Sequence, residues 1–274
     1  MMRSMFAAIS GLKVHQTMLD VTSNDIANVN TLGFKGQRTT FKDSLAQLQR
    51  GGTAPNAAQG GANAAQVGLG VQLNSIDNQM QSGALQTTGN VLDVAIQGEG
   101  WFRVAGTRAG ADLQYTRAGN FTRNANGFLV TQNGGYLLGS KDGAPAYLKV
   151  PNGASNMTVS ATGEVTYVPE AGGPRESAGF LTLAKFANEG GLERASTNLW
   201  RVTGASGPEV IGDAGGLPGT AGLGGTISGV VEMSNVDLAT EFTELISAQR
   251  GFQANSRVIS TSDEMLNELV NLKR

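Results

Sequence analysis

The chain has 274 residues, with 20 basic and 22 acidic side chains, a formal net charge of -2, one histidine and no cysteine. This balance argues against the clustered basic face that nucleic acid or an anionic membrane requires, and the missing cysteine excludes disulfides, thiolate chemistry and Cys-ligated zinc. Charged residues make up only 15% and the 39 glycines are about twice ordinary usage, so a surface of Gly, Ser, Thr, Asn and Gln with many tight turns is expected.

Residues 2 to 29 place Met2, Met5, Ile9, Leu12, Leu19 and Ile26 at alternating three- and four-residue steps, with Gln16 and Ser23 on the skipped beats. That spacing predicts one helix with a narrow, heptad-like stripe, about 40 Å long. Asn30-Thr31-Leu32-Gly33-Phe34 closes it, because Gly33 suits the left-handed cap and Phe34 can fold back on the last turn. Ser10, Lys13, His15 and Gln16 interrupt the apolar stretch, so no cleaved secretory signal is expected. No run reaches the roughly 18 apolar residues of a membrane span. His15, the lone histidine, reads as a helix-flank residue rather than a catalytic one.

Gly51 to Gln66 is rich in Gly and Ala and without pattern, so 46–70 reads as a linker. From Val71 the sequence turns to short apolar runs: Val71–Ile76, Leu92–Ile96, Trp101–Val104, Leu113–Thr116, Phe128–Thr131, Tyr136–Leu138, Tyr147–Val150, Met157–Val159, Val165–Val168, Phe180–Phe186 and Leu199–Val202. Turn signals such as Asn126-Gly127 and Asn133-Gly134-Gly135 separate them. Such a series predicts an antiparallel barrel or sandwich over 71–203. Gly68-Leu69-Gly70 lacks the third glycine and following helix of a dinucleotide fingerprint. Asp93 and Glu99 read as a strand-edge charge and a turn acid. Arg103, Arg117 and Arg123 read as solvated strand positions rather than a glycan or nucleic-acid platform. No catalytic, cofactor-binding or metal-binding residue is expected.

A second patternless stretch, Gly204 to Gly225, makes 204–230 another linker. Ser234-Asn235-Val236-Asp237 reads as a capping box. Leu238, Phe242, Leu245, Phe252, Ile259 and Leu266 then repeat the three/four rhythm, with Gln249, Ser256 and Asp263 as polar members. This helix, about 55 Å long, is expected to continue to Lys273 and Arg274, whose charges suit its C-terminal dipole. The predicted class is α+β: long coiled-coil-like helices in 1–45 and 231–274, packed together, and a central antiparallel all-β domain. Narrow stripes tethered by flexible segments point to packing between subunits.

Several of these segments resemble the bacterial flagellar rod and hook family. Asn24-Asp25-Ile26-Ala27-Asn28-Val29-Asn30-Thr31-Leu32-Gly33-Phe34-Lys35 is similar to its N-terminal signature, with Asp25 where Asn is usual. Leu92 to Phe102 and Tyr115 to Phe121 look like its first core strands and the next hairpin. Ser234 to Asp237, Ala248 to Ser256 and Ile259 to Leu266 resemble its C-terminal helix, with Gly251 in place of alanine; mid-helix, that substitution implies a helix weakened by about 1 kcal/mol. The resemblance marks Asn28, Thr31, Gly33, Phe34, Lys35, Ser234 and Asp237 as motif and cap residues. It implies that Met5, Ile9, Leu12, Leu19 and Ile26, with Leu238, Phe242, Leu245, Phe252, Ile259 and Leu266, form the subunit interface. The implied product is a helical homopolymer adjoining rod, hook and hook-filament junction proteins. Subunits would be exported by the flagellar type III apparatus without a cleaved signal and added beneath a cap protein. No cofactor, nucleic acid or membrane insertion is implied. The terminal motifs favour the extracellular hook, a universal joint transmitting torque, with the periplasm-spanning distal rod as the alternative; an extracellular β-rich adhesin is the alternative of another class.

Overall fold

The computed structural model describes residues 2–54, 60–107, 112–141, 143–169, 173–211, 215–220 and 222–272. Two helices and a central antiparallel all-β domain make the fold α+β. The chain divides into two compact units, one of Met1–Ala27, Gln37–Asn78 and Asp237–Arg274, the other of Asn28–Gly36 and Gln79–Val236.

The first unit contains helices α1 (Met2–Ala27) and α2 (Leu238–Leu272), which run antiparallel, Gly11 lying against Asn255 and His15 against Gly251. The expected extension of α2 through Lys273 and Arg274 lies outside the described residues. Strands β1 (Gln37–Asp43), β2 (Ala46–Arg50), β3 (Ala65–Gly68) and β4 (Val71–Asn78) complete the unit. β1 pairs with β4 from Gln37–Asn78 to Asp43–Val71, with a bulge at Thr40/Phe41. β2 pairs with β3, and a bridge between Thr53 and Ala62 extends the pair. The stretch expected to be a linker therefore carries an antiparallel hairpin; its residues 55–59 lie outside the described set. Its strands are almost wholly exposed, so main-chain pairing, and not an apolar face, organises them.

The second unit is built on β5 (Leu85–Thr87), β6 (Val94–Gln97), β7 (Trp101–Ala105), β8 (Leu113–Thr116), β9 (Phe121–Arg123), β10 (Leu129–Thr131), β11 (Tyr136–Lys141), β12 (Ala144–Tyr147), β13 (Ser155–Val159), β14 (Glu164–Val168), β15 (Glu176–Leu181), β16 (Leu183–Ala184), β17 (Glu193–Ser196), β18 (Leu199–Arg201), β19 (Gly225–Ser228) and β20 (Val230–Glu232). Its main sheet runs β13-β14-β15-β11-β7-β8-β18-β17, with β9, β10, β12 and β16 attached to this path. Every residue of β7 is buried. The strand alternation sends Phe102 and Val104 into one core with Phe121, Leu137 and Leu181, and Trp101 into another with Tyr115, Phe186 and Trp200. Each such aromatic side chain contributes roughly 1.5–3 kcal/mol by burial.

Boundaries differ from expectation: β4, expected to open the β domain at 71, falls in the first unit. The apolar run at 147–150 follows its strand instead of forming it: Leu148 and Val150 are fully buried, yet the ladder partners of β11 are Ala144–Tyr147. The linker expected over 204–230 contains β19, paired with β6, and the start of β20, paired with β5. Short strands at the end of a Gly-rich stretch leave no period in the sequence, because their ladder partners lie more than a hundred residues upstream.

Candidate assembly surface

The helix pair meets along small residues. The buried positions of α1 are Ala8, Gly11, Val14, Thr22 and Asp25, and those of α2 are Ala248 and Ser262. The predicted stripe flanks this line. Met5, Leu12, Leu19, Ile26, Leu245, Phe252, Ile259 and Leu266 are half-buried, whereas Ile9, Leu238 and Phe242 are exposed, Phe242 to 49%. The exposed apolar set also includes Met2, Phe6, Ile246, Val258, Met265, Leu269 and Val270. Apart from Met2, already in the stripe, sequence reasoning missed these because it selected one side chain per turn, although α2 presents apolar groups at adjacent positions such as Leu245 and Ile246. Large exposed apolar patches are a general mark of interaction sites, which makes this helical surface the candidate.

His15 is not a flank residue. Its ring meets Phe41 edge-on at 5.9 Å between centroids, and a Cβ on Gly251 would lie 2.5 Å from its Cε1. The glycine expected to weaken α2 therefore admits a neighbouring side chain.

The capping box is also redrawn. Asp237 alone caps α2: its Oδ1 accepts the Ala239 N–H at 3.1 Å and its Oδ2 the Thr240 hydroxyl at 2.7 Å. These donors hold its carboxyl below the usual aspartate range, the Thr240 hydroxyl most strongly. Ser234 Oγ instead accepts the N–H of Val236 at 3.3 Å, a local turn. One turn into α2, burial raises Glu241 to about 7, aided by the charges of Asp25, Glu244 and Asp237. Asp25 is fully buried and accepts the Gln37 N–H at 2.7 Å, which orients the start of β1.

In the β-rich unit, the motif segment is a structural anchor. Thr31 Oγ1 donates to Asn28 Oδ1 at 3.0 Å. Gly33 has φ +64°, donates its N–H to Glu232 O at 2.8 Å, and a Cβ there would lie 2.5 Å from Ala118 N. The turn predicted at Gly33 is therefore left-handed. Phe34 is buried beneath the Arg194 guanidinium, 4.6 Å from the ring centroid. Lys35 Nζ lies 2.6 Å from Glu232 Oε1 and donates to Gln81 O at 2.8 Å. Glu232 also accepts the Gly83 N–H at 3.0 Å and Arg117 Nη1 at 3.3 Å. Burial lowers the Lys35 pKa, opposed by the charge of Glu232.

Two of the three arginines expected in solvent are buried. Arg117 joins this cluster, bonding Gly98 O and lying over the Trp101 ring. Arg103 makes a two-point pair with Glu209, both contacts at 3.0 Å. Arg123 is exposed. Strand alternation could not reveal partners supplied by distant loops.

A cleft of about 470 Å³ beside Asn28 and Thr31 is lined by amide, hydroxyl and apolar side chains, none of them titratable. Among the described residues no cluster of three potential metal ligands occurs, and no helix is long and apolar enough to cross a membrane. The candidate site is the apolar surface of the two helices.

Three segments match known families: residues 5–35 the family described as flagella basal body rod protein, 95–167 the flagellar hook protein FlgE/F/G D1 domain, and 227–272 the flagellar basal body rod FlgEFG protein C-terminal. Flagellar basal-body rod protein FlgG of Bacillus subtilis (strain 168) is 46% identical over 274 residues, covering all of both chains. That of Agrobacterium fabrum is 40% identical over 266 residues, covering 96% of this chain and 97% of the relative. The flagellar hook protein FlgE of Borreliella burgdorferi is 28% identical over 448 residues, covering all of both chains.

Proposed function

Because the chain belongs to the flagellar rod and hook family, a family of flagellar axial structural proteins, we propose that it polymerises into the distal rod, the drive shaft of the basal body. The observation that carries this reading is the 46% identity to a rod protein end to end. The hook reading, which the terminal motifs favoured, is the weaker one, since the match to a hook protein is spread over 448 residues at 28%. The hairpin of β2 and β3 supports the rod as well, because it gives a stretch expected to be slack a paired backbone able to stiffen a tube.

In this role the exposed apolar side chains of α1 and α2 pack against neighbouring copies. The buried small-residue line holds the two helices of one subunit together, while Ile9, Leu238 and Phe242 lose their exposure only on assembly. Adjoining rod, hook and junction proteins, the cap and the flagellar type III export apparatus are the partners of such a subunit.

Deleting residues 255 to 274 tests the role. The β-rich unit should fold and give its usual near-ultraviolet signal from Trp101 and Trp200, while polymer is no longer formed. Normal tubes from the truncated chain would refute the assignment of the interface to the helices.

A further inference from the structure

Each helix of the first unit contains a single glycine, Gly11 in α1 and Gly251 in α2. Four residues after each stands a larger polar side chain, His15 and Asn255 respectively. The antiparallel pairing sets each glycine against the other helix's larger residue. A Cβ on Gly251 would lie 2.5 Å from both Cε1 and Nε2 of His15, and a Cβ on Gly11 2.8 Å from Asn255 Nδ2. Positions four apart lie on one helix face, so two notches and two knobs form a reciprocal set. We infer that Gly11, His15, Gly251 and Asn255 are the positioning residues that fix the register of α1 against α2.

Side-chain size disfavours the neighbouring registers. Sliding α2 by one turn in one direction sets His15 against Asn255, and Gly11 against Ile259. Sliding it in the other direction sets Gly11 against Gly251, leaving a gap. Only the observed register matches a knob to a notch at both levels.

Both knobs are held in place. Asn255 Nδ2 donates to Gly251 O at 3.0 Å, which keeps the amide over its own helix. His15 sits between Gly251 and the Phe41 ring, and its buried Nδ1 has no hydrogen-bond partner among the described residues. The imidazole fits by shape between Gly251 and Phe41. This lock is a property of the single chain and stands or falls independently of the rod role.

The test exploits a change of sign. Gly→Ala in a helix is ordinarily stabilising. With His15 present, Gly251→Ala should instead speed hydrogen exchange of the α1 and α2 amides in the unassembled chain; in a His15→Ala background the same change should slow it. The difference between backgrounds should fall between about twofold and a hundredfold, the range of coupling for side chains in contact. Gly11→Ala with and without Asn255→Ala gives a second, independent cycle should one variant fail to fold. Gly→Ala slowing exchange equally in both backgrounds, at both pairs, would overturn the lock.

Discussion

Lys35 Nζ and Glu232 Oε1 are 2.6 Å apart, both side chains are fully withdrawn from solvent, and 197 residues separate them in the chain. The Phe34-Lys35 end of the motif therefore closes on the strand that precedes α2. Glu232 is the shared carboxylate partner of two buried basic side chains, Lys35 and Arg117. Glu232→Ala leaves both without their carboxylate and should cost about 3–5 kcal/mol. Replacing Lys35, Glu232 and Arg117 together with apolar residues of similar volume should cost less than that single change. Denaturant unfolding of the unassembled chain, followed by tryptophan fluorescence, compares the two.

Gly33→Ala should destabilise the β-rich unit by at least about 1 kcal/mol. The residue has φ +64°, and the added methyl would meet Ala118 N at 2.5 Å. Gly134, also left-handed but with open space around it, supplies the control. Gly134→Ala should cost less in the same unfolding measurement.

Glu241 gives the helix pair a pH dependence of predictable sign. Its folded value of about 7 lies above the ordinary 4.5, so the folded chain binds the proton more tightly. The contribution is fully present below 4.5 and is lost as pH rises through about 7. Asp237 acts oppositely: its value is lowered, so its contribution is present above the ordinary 3.8 and is lost as pH falls through the folded value. Hydrogen exchange of the first turns of α2 should accelerate, once corrected for intrinsic rates, between pH 5 and about 7. Glu241→Gln should flatten that profile.

Phe242 separates folding from assembly. It is 49% exposed, so Phe242→Ser should change monomer stability by no more than about 0.5 kcal/mol. Polymer formation, followed by sedimentation, should fall sharply. Ala248→Leu should do the reverse: it crowds a buried position of the helix pair and should cost about 1–3 kcal/mol in the monomer.

The helices were legible because a three/four apolar rhythm survives whatever the helix packs against. Which face meets which was not. Large apolar residues such as Leu12 and Phe252 mark a sticky stripe, but close approach of two backbones selects small residues, and Ala8, Gly11, Ala248 and Gly251 carry no hydrophobic signal of their own. The strand runs were read well where both faces are buried, as at Trp101 to Val104. The hairpin at 46–68 was hidden because its pairing is main-chain and its side chains are exposed. Arg103 and Arg117 looked like surface charges; their carboxylate partners lie 106 and 115 residues away. The capping segment was located, but Ser234 was expected to cap with Asp237 reaching back; Asp237 is itself the cap, and Ser234 closes a local turn.

Electron microscopy of polymer grown from the purified full chain tests the central claim most directly. A straight tube whose inner wall is made of α1 and α2, with Phe242 and Leu238 buried against neighbouring copies, is the predicted result. A tube in which those side chains face solvent, or a chain that stays monomeric under every assembly condition, would contradict it; a curved tube would return the assignment to the hook.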